Sequence, residues 1–473
     1  MGYHPGMEDD GVYLTAVKSS LNPALYPHDA NFFRIQIQAT LFDKWMAAFV
    51  HFTGISVAWA ELFWQCASIA TILFACFTIA RRLFKERRAQ WAGVAMVGAM
   101  LTLPVAGTAL NITDQHLHPR NIATALILLA VTRVLAGRRW QAVPLLLPAF
   151  LLHPIMAIMG ISFCIFLALA NTESVHVWVF KWTRMSPSPA AAAFAPLAWV
   201  FSSPNPTWRK ALDTRAYDHL YQWAWYEWLG AVAPILLFWL LWRVAHKRGE
   251  HLLSRFSLAV FAYGVFQLSL AMIVHAAPAL VRITAMQPMR FLHLVYIFMA
   301  LMGGCLIGKY LLKPKVWRWA FYLVLINTGM FVAQRQLFKG SEHLELPGGQ
   351  SANPWLQAFS WVRQNTPTNA YFALDPYYMA APGEDYHSFR ALGERSQLAD
   401  ALKDTAVVTQ VPELGPIWQR EMDAQQGWPH FQFADFQRLK AEFGVDWVVL
   451  SFPPPRGLPC PWHGGAVSVC QVP

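Results

Sequence analysis

Long apolar runs separated by short basic clusters constrain this chain more than any other feature. Runs near residues 56–80, 90–110, 120–137, 140–170, 229–245, 255–276, 290–309 and 316–335 approach or exceed the twenty or so apolar residues that cross a bilayer core. Between them lie Arg81, Arg82, Lys85, Arg87 and Arg88; then Arg133, Arg138 and Arg139; then Arg243, Lys247, Arg248 and Arg255; and last Lys309, Lys313, Lys315 and Arg318. Such clusters mark cytoplasmic loops under the positive-inside rule. Eight crossings put all four on one side. Residues 1–55, 111–119, 171–228, 277–289 and 336–473 then share the other. The expected fold is therefore a mainly α, polytopic membrane bundle of about eight spans, followed by a small soluble α/β domain.

Composition agrees. Only 14% of the 473 residues are charged and 56% are hydrophobic, with 32 Phe and 22 Trp. A soluble domain carries nearer a quarter charged residues. The net charge of +10 resides largely in the loop clusters, which argues against nucleic acid as a partner. Of six cysteines, Cys66, Cys76, Cys164 and Cys305 fall in apolar runs, whereas Cys460 and Cys470 lie in the tail and would be free to pair in an oxidising compartment. The residues before the first run lack the charged n-region and apolar h-region of a signal peptide, so none is expected there.

Three segments follow: an acidic loop with a surface helix over 1–53, a transmembrane domain over 54–337, and a soluble α/β domain over 338–473. In the first, residues 32–52 mix apolar and polar positions at helical spacing, as a surface-lying helix does. Pro144, Pro148 and Pro154 interrupt the 140–170 run, which reads as tilted, broken or re-entrant. Residues 188–202 form a weaker, interfacial stretch. In the last segment Asn353-Pro354 caps a helix, residues 370–374, 405–411 and 447–451 read as strands, and residues 434–443 form an amphipathic helix closed by Gly444.

Polar residues cluster in four places. Glu8, Asp9 and Asp10 are three consecutive carboxylates in the first outside loop. A carboxylate there suits general-base work on a hydroxyl, or a divalent cation holding a phosphate; a solvated acidic turn is the simpler reading on composition alone. Asp114, His116, His118 and Arg120 crowd a short outside loop. Arg and His suit a lipid-linked phosphate, and His116 with His118 suits a metal, against plain snorkelling at a helix end. His153, His275, Arg282, Arg290 and His293 sit in or beside apolar runs, where polar groups are costly; interhelical hydrogen bonds would explain them too. Tyr217, Trp223, Trp225 and Glu227 suit stacking on a sugar ring, or an interfacial aromatic belt.

With these residues on the page, a resemblance emerges. An acidic pair in the first loop, a surface helix, a many-span core and a C-terminal α/β domain resemble the GT-C superfamily of glycosyltransferases. The stretches GYHPGMEDDGVYLTAVKSSLNPALYPHD, YQWAWYEWLG, WVRQNTPTNAYFALDP and FRALGERS resemble a family of bacterial membrane proteins of this layout. The resemblance implies a multi-pass protein of the bacterial inner membrane with its C-terminal domain in the periplasm. It would move a sugar from a polyprenyl-phosphate donor to an acceptor on that face, with membrane lipids as partners. It gives the base role to Asp10 or Asp9, preferably Asp10, beside Glu8. Donor-phosphate binding falls to His116, His118, Arg120, Arg290 and His293, and sugar or acceptor binding to Tyr217, Trp223, Trp225 and Glu227. A divalent cation, Mg²⁺ or Mn²⁺, would sit on Asp114 and His116. The superfamily places a helix ahead of the acidic loop, so a ninth helix upstream of Met1 is expected. The competing reading is a non-enzymatic membrane protein, a transporter or an envelope-assembly subunit.

Overall fold

The computed structural model describes residues 1–171 and 205–473, without the side chains of residues 34–37. The 188–202 stretch lies outside the described residues. The chain is mostly helical, with one small mixed sheet.

Among the described residues, five helices are long and apolar enough to cross a membrane: Val57–Leu83, Trp225–Lys247, His251–Ala276, Pro288–Leu312 and Val316–Leu337. Pro288–Leu312 is the most enclosed, and Gly304 and Gly308 bring it against Ala92 and Arg88 of the Arg87–Ala99 helix. A Cβ at either glycine would lie under 3 Å from that backbone, so close packing requires them. Val316–Leu337 is the opposite case, with Phe321, Val324 and Leu325 turned outward, as a lipid-facing helix has them.

Other apolar runs behave differently from expectation. The 90–110 run is helical only over Arg87–Ala99, about 20 Å at 1.5 Å per residue, against roughly 30 Å of hydrocarbon. Beyond it the chain turns: Pro104 bridges Asn111, and Ala106 and Ala109 take positive φ. Pro119–Leu135 has 17 residues and is buried on most faces. The 140–170 run is indeed broken, into Val143–Leu152 and Pro154–Ala170. The break is at His153, since Pro154 has no N–H to continue the first helix but suits the first turn of the second.

Five strands build the sheet: β1 (Tyr371–Leu374), β2 (Ser396–Gln397), β3 (Trp447–Leu450), β4 (Trp462–Gly464) and β5 (Val467–Gln471), in the order β2-β1-β3-β5-β4. β1 runs parallel to β2 and β3, and β5 antiparallel to β3 and β4. Asn353 Oδ1 accepts the Trp355 N–H at 2.9 Å, and Gly444 closes Phe433–Phe443 at φ 81°. Cys460 and Cys470 are disulfide-bonded.

The 405–411 strand reading is overturned: Lys403–Gln410 is a helix. Its β-branched residues suggested a strand, but Asp400 Oδ1 accepts the N–H groups of Leu402, Lys403 and Asp404 and so starts a helical turn. Val407, Val408, Val411 and Leu414 then line one apolar face, packed with Val12, Tyr26, Phe33 and Trp418. The N-terminal segment is consequently knitted into the α/β domain. Tyr3 bridges Leu344, Met7 bridges His387, and Arg390 pairs with Asp29. Within that segment the expected surface helix is two helices, Asn31–Gln38 and Phe42–Thr53.

Candidate active site

The acidic triplet forms a single 3-10 turn, Glu8–Gly11, pinned from the α/β domain. The Glu8 N–H donates to Tyr386 O at 2.7 Å, and the Ser388 N–H to Gly6 O at 2.7 Å. Gly6 has φ 81°, and a Cβ there would meet the Leu392 side chain, so the turn requires glycine. Glu8 itself is held at φ 47°, a conformation that costs a non-glycine residue energy.

This turn sends the three carboxylates in different directions. Asp9 faces a cavity of about 390 Å³ between the helical bundle and the α/β domain. Lys403 Nζ donates to its Oδ1 at 3.1 Å, and His118 Nε2 lies 3.3 Å from its Oδ2. His118 Nδ1 accepts the Arg120 backbone N–H at 2.9 Å, which leaves the proton on Nε2, toward Asp9. Burial alone would raise the Asp9 pKa, but Lys403, His118 and Arg120 outweigh it and hold the carboxyl well below its usual range. Asp10 turns the other way. It is 1% exposed, accepts the Gly6 N–H at 2.8 Å and lies against Glu61. Burial and then Glu61 push its pKa well above the usual value. Asp10 does not line the cavity, so the preference for it over Asp9 is reversed. Glu8 is not among the lining residues; it is partly exposed, 4.0 Å from Lys403.

The rest of the cavity wall comes from widely separated places in the chain. Val12 and Tyr13 follow the turn, His118 precedes the Pro119–Leu135 helix, and His153 sits at the helix break. Arg215, Gln287 and Arg290 come from the bundle side, and Lys403, Ala406 and Gln410 from the α/β domain. Arg215 is oriented by its donation to Thr409 Oγ1 at 2.7 Å and lies 3.4 Å from Asp218; Arg290 bonds Gln287 Oε1. The described lining therefore holds three cations, Arg215, Arg290 and Lys403, against one carboxylate, Asp9. A lining with that excess of cations suits an anion.

Several expected residues are elsewhere. Arg120 does not line the cavity; its guanidinium grips Asp114, donating from Nε at 3.1 Å. That pairing holds Asp114 far below its ordinary pKa, against the effect of burial. His116 is buried beside them with neither ring nitrogen hydrogen-bonded, and burial takes its pKa down to about 3. Asp114 and His116 do not gather further donors into a metal site: among the described residues, the one His/Cys/Asp/Glu cluster of suitable spacing lies in a different place. His293 Nε2 is 2.9 Å from Ile112 O, a packing contact behind the cavity. His275 bonds the Asp218 and Ala271 carbonyls.

The expected sugar-binding set does not line the cavity either, although Trp223 Nε1 donates to Tyr217 O at 3.3 Å. Glu227 Oε2 accepts the Ala224 N–H at 2.7 Å and so caps its own helix. Trp223 is buried against Gly107, Trp225 projects outward at 76% exposure, and Tyr217 accepts from Arg215 Nε at 2.7 Å. Conversely, sequence reading missed Tyr13, Arg215 and Lys403. Nothing local marks Lys403; it reaches Asp9 only because the fold lays a helix from the far end of the chain over the first turn.

In comparisons with protein-family models and with curated proteins, the chain matches none.

Proposed function

We propose that the chain is a GT-C-type glycosyltransferase that takes a sugar from a polyprenyl-phosphate donor on the extracytoplasmic face of a bacterial inner membrane. The observation that carries this reading is Asp9, a carboxylate facing a cation-rich cavity at the junction of an apolar helical bundle and an α/β domain. Lys403, Arg215 and Arg290 are suited to the donor phosphate, and the apolar helices to its polyprenyl chain. Asp9 then takes the proton of an acceptor hydroxyl. The acceptor oxygen bonds to the anomeric carbon as the bond from that carbon to the phosphate oxygen breaks, and the polyprenyl phosphate leaves, its charge balanced by the cations. A phosphate drawn to Lys403 takes the ammonium off Asp9 and leaves the carboxylate a stronger base. The Cys460–Cys470 disulfide favours an oxidising compartment for the α/β domain.

Mg²⁺ or Mn²⁺ prefers several oxygen ligands. Among the described residues the cavity wall offers one carboxylate, which is engaged by Lys403, and Asp114 is engaged by Arg120, so these residues do not fit such an ion.

The test uses the purified chain in lipid nanodiscs with a panel of labelled polyprenyl-phosphate hexoses. Wild-type chain should release polyprenyl phosphate in the presence of acceptor-containing membrane extract. Asp9→Asn should lower that rate by about 10²–10⁴, the worth of a general base. Equal rates in the two would refute the reading.

A further inference from the structure

Outside the cavity, three donors from distant parts of the chain meet in the interior: His4, Glu345 and His387. His4 Nδ1 lies 3.0 Å from Glu345 Oε1, and His387 Nε2 lies 3.0 Å from Glu345 Oε2. All donor atoms fall within 4.8 Å of one another, and the three side chains are 1%, 9% and 0% exposed. Ligands around tetrahedral zinc stand about 3.3 Å apart, given metal–ligand distances near 2.0 Å. The cluster therefore needs only a small closure of the two imidazoles onto an ion.

We propose that His4, Glu345 and His387 bind a first-row divalent transition-metal ion, zinc by the character of the donors, which clasps the N-terminal segment to the α/β domain. Two imidazoles and one carboxylate suit zinc, whereas magnesium and calcium prefer oxygen alone. A second observation points the same way. Glu384 Oε1 stands 3.3 Å from His387 Nδ1, the ring nitrogen turned away from Glu345, as the outer carboxylate of a metal-bound histidine does. Yet His387 Nδ1 and Glu384 Oε2 are buried with no hydrogen bond. A dication at Nε2 would fix the proton on Nδ1 and neutralise the two buried carboxylates together. The frame is rigid: His4 stacks on Phe338 with centroids 4.5 Å apart, its N–H donates to Gln115 O at 2.8 Å, and Met7 bridges His387. The clasp lies five residues before Asp9 on the strand-like lead into the pinned turn, so it sets where that turn sits without touching the cavity.

The experiment is metal analysis of the full-length chain in detergent after growth with zinc. Wild-type chain should carry about one zinc per chain, His116→Gln should keep it, and His387→Gln or Glu345→Gln should fall to about a fifth of that or less. Because those variants remove buried partners, the wild-type chain is also stripped with chelator and titrated with Co²⁺ and Zn²⁺. Stoichiometric Co²⁺ should give visible d–d absorption, and zinc should raise the thermal midpoint by several degrees, since an ion that binds only the folded chain stabilises it. Zinc retained equally in His387→Gln, or a stripped wild type that shows neither absorption nor a shifted midpoint, would overturn the proposal.

Discussion

Two charged clusters tie the N-terminal segment to the α/β domain, and they are built on opposite principles. Around Arg390 three acids converge on one cation: its guanidinium meets Asp404 with two hydrogen bonds at 2.7 and 2.9 Å, pairs with Asp29 and lies 3.8 Å from Asp400. All four are buried and none lines the cavity. Around Asp9 the cations outnumber the acid, and the space between them is open. The first cluster closes on itself within the folded chain. The second turns its cations toward a cavity. Lys403 and Asp404 are neighbours in the chain, yet the first faces the cavity and the second closes on Arg390.

Substitutions at matched positions separate the two. Arg390→Ala leaves Asp29 and Asp404 buried without their partner and should cost about 3–5 kcal/mol of stability, read as a loss of thermal midpoint and yield. Arg290→Gln relieves a cationic excess instead. It should leave the midpoint nearly unchanged while weakening donor binding about tenfold or more, the worth of one charge-assisted hydrogen bond, seen as a raised KM. If Arg290→Gln also unfolds the chain, the contrast fails.

A pH profile sharpens the same comparison. Lys403 helps hold the Asp9 pKa well below its usual value, so Asp9 stays ionised down through the weakly acid range. A lowered folded-state pKa gives stability that is present above the unfolded value, near 4, and is lost as pH falls through the folded value. Lys403→Met should therefore move the acid limb of activity to higher pH, by about one unit. The smallest effect is expected at Glu227→Ala: loss of a helix cap, about 1 kcal/mol, with sugar transfer intact. A selective loss of acceptor binding there would restore it to the site.

What sequence reading captured follows the physics of range. Apolar runs and proline positions are local, so the long helices, the break at Pro154 and the caps at Asn353 and Gly444 were legible. The acidic triplet was legible as chemistry, but its members were not distinguishable, because orientation within a 3-10 turn depends on Tyr386 and Ser388, nearly four hundred residues away. The strand expected at 405–411 failed for a related reason. Burial of Val407 and Val408 against Tyr26 and Phe33 overrode a β-branched run, and with the strand went any chance of seeing Lys403 at the site. Glu227 misled because a helix-capping acid and a substrate-binding acid look alike in a list of residues.

The most direct test of Asp9 as the reacting carboxylate is thin-layer analysis of lipid-linked sugars from cells lacking the chain, complemented with wild type, Asp9→Asn or Asp10→Asn. The account predicts that a polyprenyl-phosphate sugar accumulates in the deletion and with Asp9→Asn, and is cleared by wild type and by Asp10→Asn. Clearance by Asp9→Asn, with accumulation under Asp10→Asn, would contradict it.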